Sequence, residues 1–138
     1  MDAFGYAVMT ACIWGVVPIF EKIGLTGPVQ PSVGVVFRSF GVCLGMAVLL
    51  SRLPLSSVMA VPWRSSLWLM AGGCLASVGG QLLFYHALKH GEASRMVIVA
   101  GMYPLVTCLL GLVVLREPLT TAKAAGVTLI IAGVTLLR

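Results

Sequence analysis

Residues 96–137 read MVIVAGMYPLVTCLLGLVVL (Met96–Leu115), REPLTTAK (Arg116–Lys123) and AAGVTLIIAGVTLL (Ala124–Leu137). The first block carries no charged side chain. As a helix rising about 1.5 Å per residue it is long enough to cross the roughly 30 Å hydrocarbon core of a bilayer. Arg116 and Glu117 stop it. Pro118 suits the first turn of a second helix, where a missing N–H does no harm. Two apolar spans around a short charged turn form a transmembrane helical hairpin, and this decides the solvent for the rest of the chain.

Composition agrees. The 138 residues are 59% hydrophobic and 9% charged, and mean hydropathy is +1.06. A water-soluble domain carries about a quarter charged residues, so this chain lacks the polar surface to cover itself and its partner is the lipid bilayer. The net charge of +5 comes from Lys and Arg scattered singly at span ends, with no basic run of the kind that binds nucleic acid. Cys12, Cys43, Cys74 and Cys108 each sit inside an apolar span without a CxxC pair. They read as small hydrophobes. Asp2, with no Lys or Arg before the first apolar run, argues against a cleavable signal peptide.

Reading outward from the hairpin, the spacing predicts helices over 4–23, 33–50, 67–88, 96–115 and 120–137. Gly24, Gly27, Pro28 and Pro31 mark the first loop. Residues 51–66 form a polar connection, and Lys89 to Arg95 a charged turn. The predicted fold is an all-α membrane protein of five transmembrane helices, in one module over 1–138. No ten-residue alternating barrel pattern is present. The Met1 start and Arg138 stop fit either a natural full-length protein or an excised half.

An odd number of spans puts the termini on opposite sides. Arg52, Arg64, Arg116 and Lys123 fall on the N-terminal side, and Lys22, Lys89, Arg95 and Arg138 on the other. Orientation follows an excess of Lys and Arg in cytoplasmic loops, and here the two sides nearly balance. The expectation is dual topology: the chain inserts both ways and pairs with an inverted copy of itself. Two such chains reproduce the inverted-repeat architecture of many secondary transporters.

Several motifs resemble the drug/metabolite transporter superfamily, specifically a single EamA-type module. They are Trp14-Gly15 and Lys22, Arg38, Tyr85-His86-Ala87-Leu88, Tyr103-Pro104, Glu117-Pro118-Leu119-Thr120, and Gly126 with Gly133. The resemblance covers essentially the whole chain. Family members typically have ten helices in two inverted five-helix modules, so this chain resembles a half-transporter. The resemblance implies a secondary transporter of the cell (inner) membrane, working as an antiparallel homodimer. Family cargo ranges over amino acids, other metabolites, nucleotide sugars and cationic drugs, so the small-molecule substrate does not carry over.

Helical spacing supplies candidate pathway residues independently. Thr10, Trp14 and Glu21 share a face of the first helix. Ser77, Gln81 and Tyr85 follow at steps of four in the third, and Tyr103 and Thr107 are four apart in the fourth. Lipid-facing surfaces disfavour such groups, so these side chains are expected to point inward. Each has a blander alternative: Ser and Thr bond within or between helices, Gln81 bonds between helices, and Trp14 and Tyr103 pack as aromatics with one bonded polar tip. Glu21 and Arg38 are the gating or coupling candidates, because charge inside a span is costly and often functional. Either they form an ion pair or proton site, or Arg38 snorkels to the headgroups and Glu21 ends its helix beside Lys22. Glu117 reads as a structural carboxylate at a helix N-terminus.

Gly41 and Gly45 form a GxxxG. Gly72, Ala76 and Gly80, and Ala122 with Gly126, form further small-residue seams. Pro104 predicts a kink in the fourth helix, and is the hinge candidate. His86 and His90 lack a third ligand, so no metal is expected. No catalytic or cofactor motif is present, and the chain does not read as an enzyme. The alternative function is a non-transporting membrane subunit or scaffold that needs a different partner chain.

Overall fold

The computed structural model describes residues 2–136. Those residues are helical apart from turns and loops, with no β-strand among them. The chain divides into two compact units, one ending at His90 and one beginning at Gly91.

In the first unit, α1 spans Ala3–Gly24 and is started by Asp2, whose side chain accepts from the Gly5 N–H. This is ordinary N-capping. Pro18 lies inside α1. Its ring removes the N–H that would bond the Trp14 carbonyl one turn earlier. Gly27 then turns the chain at φ 80°, a left-handed conformation that glycine adopts without steric cost. Helix α2 spans Pro31–Leu50 and begins on proline, where φ is already helical. The connection predicted as a loop over 51–66 contains a short helix, α3 (Leu55–Met59). The following span starts four residues before its predicted position, at Trp63, because Pro62 ends the loop and precedes the first helical residue.

That third span runs unbroken over Trp63–His90 but is not uniform. Helix α4 (Trp63–Cys74) passes into a π-helical stretch over Leu75–Gly80, then into α5 (Gln81–His90). The backbone N–H of Gln81 reaches back five residues to Ala76 O. The sequence there, LASVGG, includes Ala76, Ser77, Gly79 and Gly80, whose small or absent side chains leave room for the wider turn. Such bulges recur at functional sites. Helix α5 packs against both α1 and α2. The buried apolar side chains among the described residues are Leu25, Val35, Tyr85 and Leu88, all in this unit. Most other large apolar side chains are exposed, as expected where lipid replaces water.

In the second unit the fourth predicted helix is two segments, α6 (Ala93–Ala100) and α7 (Tyr103–Val113), with a turn at Gly101–Met102. Pro104 therefore lies in the first turn of α7, not in mid-helix. In a continuous helix it would leave the i−4 carbonyl without its N–H partner and its ring would clash with that carbonyl, so the chain breaks before it. Helix α7 ends at Val113, two residues short of the expected Leu115. The Glu117 N–H returns to Gly111 O at 3.1 Å, and Arg116 takes a positive φ of 53°.

Helix α8 spans Thr121–Thr135, with the Thr120 side chain accepting from the Lys123 N–H. Its 15 residues rise about 22 Å, less than a hydrocarbon core of roughly 30 Å. The predicted end at Leu137, and Arg138 with its loop charge, lie outside the described residues. Among the described residues, four helices are long and apolar enough to cross a membrane: Ala3–Gly24, Pro31–Leu50, Trp63–His90 and Ala93–Val113. The fold is thus an all-helical membrane fold, with α8 as a shorter apolar helix.

Arg116 gives a first prediction. A left-handed conformation costs an L-residue about 1–2 kcal/mol. Arg116→Gly should raise unfolding free energy by about 1 kcal/mol once the extra freedom of glycine in the unfolded chain is offset. Thermal melting in detergent reads this directly, and an unchanged or lower Tm would contradict it.

Candidate functional site

The first unit gathers three polar side chains from two helices around one carboxylate oxygen of a third. Glu21, in the last turn of α1, places Oε1 where three donors converge. Arg38 of α2 donates from Nε at 3.2 Å. Gln81 of α5 donates from Nε2 at 2.9 Å. Tyr85, one turn further along α5, donates its hydroxyl at 3.0 Å. The Glu21 side chain is 9% exposed and that of Arg38 32%. A carboxylate in this apolar setting is tolerable because a cation and two neutral donors compensate it. The i,i+4 spacing of Gln81 and Tyr85 puts both on the face of α5 that meets α1.

This cluster forms one wall of a cleft between α1 and α2, with a volume of ≈ 740 Å³. Glu21, Arg38 and Tyr85 supply its charged and polar wall. Val17, Phe20, Leu25, Val33 and Phe37 supply apolar surface. A volume of this order, mostly apolar with a few convergent polar groups, is typical of small-molecule sites. Gly34 also lines it, and there the absence of a side chain matters. A Cβ would lie 2.9 Å from Leu25 Cδ2 and 3.0–3.1 Å from the Tyr85 ring. Gly34→Ala should therefore displace Tyr85 from Glu21 and lower stability by about 1–2 kcal/mol. A melting temperature equal to that of the parent protein would contradict this.

One end of the unit is tied by two lysines. Lys22 at the end of α1 donates Nζ to the carbonyls of Leu88 and Lys89, the last turn of α5. Lys89 donates Nζ to Gly27 O at 3.2 Å and to Val29 O. Each cation satisfies carbonyls that a helix end or loop leaves without partners. The exchange fastens α1, the α1–α2 loop and α5 directly beside the Glu21 cluster.

Other candidates lie elsewhere. Trp14 is 61% exposed and does not line the cleft, being seven residues, or about 10 Å, along α1 from Glu21. Thr10 bonds the Tyr6 carbonyl of its own helix. Ser77 is half-buried within the π-helical stretch and does not join the Glu21 cluster. In the second unit Tyr103, Pro104 and Thr107 line a smaller groove of ≈ 290 Å³ together with Glu117 and Lys123. Tyr103 is exposed, and the Thr107 hydroxyl bonds Tyr103 O. Glu117 pairs with Lys123 at 2.9 Å, beside the Thr120 cap. Sequence reasoning missed the roles of Gly34, Leu25 and the two lysines. The proximity of Lys22 and Lys89 to span ends was visible, but their carbonyl acceptors carry no sequence signature.

No group of three or more His, Cys, Asp or Glu side chains suited to a metal occurs among the described residues. No solved structure matches the chain. A protein of Sinorhizobium sp. named as an uncharacterized transporter in the cobO 3′ region is 25% identical over 133 residues, covering 96% of this chain and 93% of the relative. An uncharacterized protein of Methanocaldococcus jannaschii is 41% identical over 58 residues, 42% of each chain, so the chain spans under half of that relative's length. The description that covers the whole helical region is the EamA-like transporter family, matched over residues 3–138. With its apolar spans and its inward-facing carboxylate, this multi-pass membrane chain belongs to the EamA-like transporter family.

Proposed function

We propose that the chain is a secondary transporter of small organic metabolites or drugs in the cell (inner) membrane. It works by alternating access as an antiparallel homodimer. The observation that carries this reading is the cleft of ≈ 740 Å³ walled by Glu21, Arg38 and Tyr85. It joins a guest-sized apolar space to a held charge within spans, where charge is otherwise avoided. The nearly balanced Lys and Arg on the two sides of the chain support insertion in both orientations. An inverted second copy would complete the inverted repeat that transporters of this architecture use. In this reading Glu21 and Arg38 couple or gate. Gln81 and Tyr85 hold Glu21 in place; Trp14 and Ser77 in the first unit, and Tyr103 and Thr107 in the second, are the remaining pathway candidates, each within its own unit, and the break before Pro104 is the hinge.

The test is reconstitution. Purified dimers in proteoliposomes should show saturable flux of at least one compound from a panel of small metabolites and drugs, above protein-free vesicles. Confirmed dimers with no flux for any compound would contradict the proposal. Co-purification of a second membrane protein in fixed ratio would favour the scaffold alternative.

A further inference from the structure

We propose that the connection between the second and third spans is a membrane-surface strap that binds anionic phospholipid. Arg52 and Arg64 hold the headgroup phosphates, and one face of α3 enters the acyl boundary. The connection leaves α2 at Leu50 and joins the third span at Trp63. Consecutive spans run in opposite directions, so both of its ends are fixed at the same membrane surface. Within it, Leu55, Val58 and Met59 fall at i, i+3 and i+4 of α3, and Ser56 and Ser57 fall outside that stripe. The first three therefore share one helix face. The protein leaves this face uncovered: Leu55 is 70%, Val58 43% and Met59 77% exposed. A helix of this pattern, held at a membrane surface, lies in the interfacial plane with its apolar side chains toward the acyl chains.

Charge selects the lipid. Arg52 and Arg64 flank the strap, and no Asp or Glu occurs between Glu21 and Glu92. Both arginines are exposed, and neither takes part in an ion pair among the described residues. The Arg64 guanidinium lies 5.7 Å from the centre of the Trp63 ring. That stacking keeps the cation beside an aromatic side chain that itself favours the membrane–water interface. A guanidinium meets a phosphate in two parallel bonds. Two such cations with no acid beside them match a headgroup of net negative charge. A phosphocholine headgroup brings its own cation and cancels that attraction.

The first test uses the unmutated full chain in phosphatidylcholine vesicles. Association of spin-labelled phosphatidylglycerol is compared with that of spin-labelled phosphatidylcholine. A basic side chain at a membrane surface favours anionic lipid by about fivefold, so phosphatidylglycerol should associate at least about fivefold more strongly. Arg52→Gln combined with Arg64→Gln should reduce that preference by at least about fivefold. Equal association of the two lipids with the parent protein overturns the inference. So does a preference that survives unchanged in the double variant, because the headgroups would then be held elsewhere.

The second test reads the depth of α3. In a background without the native cysteines, nitroxides are attached at Met59→Cys and, on the opposite face, at Ser57→Cys. The vesicles contain phosphatidylcholine with phosphatidylglycerol. The label at position 59 should collide mainly with oxygen, which concentrates in the acyl region, and the label at position 57 mainly with a water-soluble nickel chelate. Equal access of the chelate to both positions would make the connection a loop in water and overturn the inference. Shielding of position 59 from both agents would place a protein partner on the face and overturn it as well.

Discussion

Replacing Glu21 with alanine should cost about 3 kcal/mol of unfolding free energy and reduce flux to the level of protein-free vesicles. The substitution removes the single acceptor shared by Arg38, Gln81 and Tyr85. Breaking a buried ion pair from one side costs about 3–5 kcal/mol because the remaining charge is left without its partner. The lower end applies here, since Arg38 is 32% exposed and water can reach it. Glu21→Gln separates the two effects. An amide oxygen still accepts from Gln81 and Tyr85, so much of the stability should return, while flux should stay low if the charge itself couples or gates. Thermal melting in detergent checks the first part and proteoliposome flux the second. A stable, fully active Glu21→Ala protein would remove Glu21 from the mechanism.

The second large effect is expected at the lysine ties. Lys22 and Lys89 together bond carbonyls of Leu88, Lys89, Gly27 and Val29. Hydrogen bonds from charged donors contribute about 1.5–3 kcal/mol each. The two ties share one end of the unit and will not add fully. The double variant Lys22→Met, Lys89→Met should lose about 3 kcal/mol and open that end. In a background without the native cysteines, a cysteine at Leu25, which is 4% exposed in the protein, should resist maleimide with the lysines present. It should react in the double variant. Equal labelling in both would show that the lysines do not close this end.

Much of the first unit was legible because its signals are local. A glutamate and an arginine inside apolar runs stand out by cost alone, and Gln81 and Tyr85 share a face by spacing alone. That three donors meet on one oxygen was not legible, because it depends on how α2 and α5 sit against α1. The stripe that joined Ser77 to Gln81 assumed a uniform helix. The π-helical stretch over Leu75–Gly80 breaks that assumption at Ser77. Trp14 matches Glu21 in angle around α1, but an angular match ignores the distance along the axis. From sequence alone, Pro104 predicts a kink within one helix. The preceding Gly101 and Met102 let the chain break outright, moving the proline to the first turn of α7 where it is harmless. Gly34 had no signal, since only the neighbouring Leu25 and Tyr85 side chains make its lack of a Cβ matter.

Transport by this chain depends most on the proposed second copy, because the cleft in one unit becomes a pathway only when an oppositely inserted chain provides alternating access. Side-specific labelling of a tag at the C-terminus, in the native membrane, measures this directly. Comparable labelling from both faces is expected, the mark of dual insertion and an antiparallel homodimer. Labelling from one face alone would contradict it, and would require an oppositely oriented partner of different sequence or a parallel assembly.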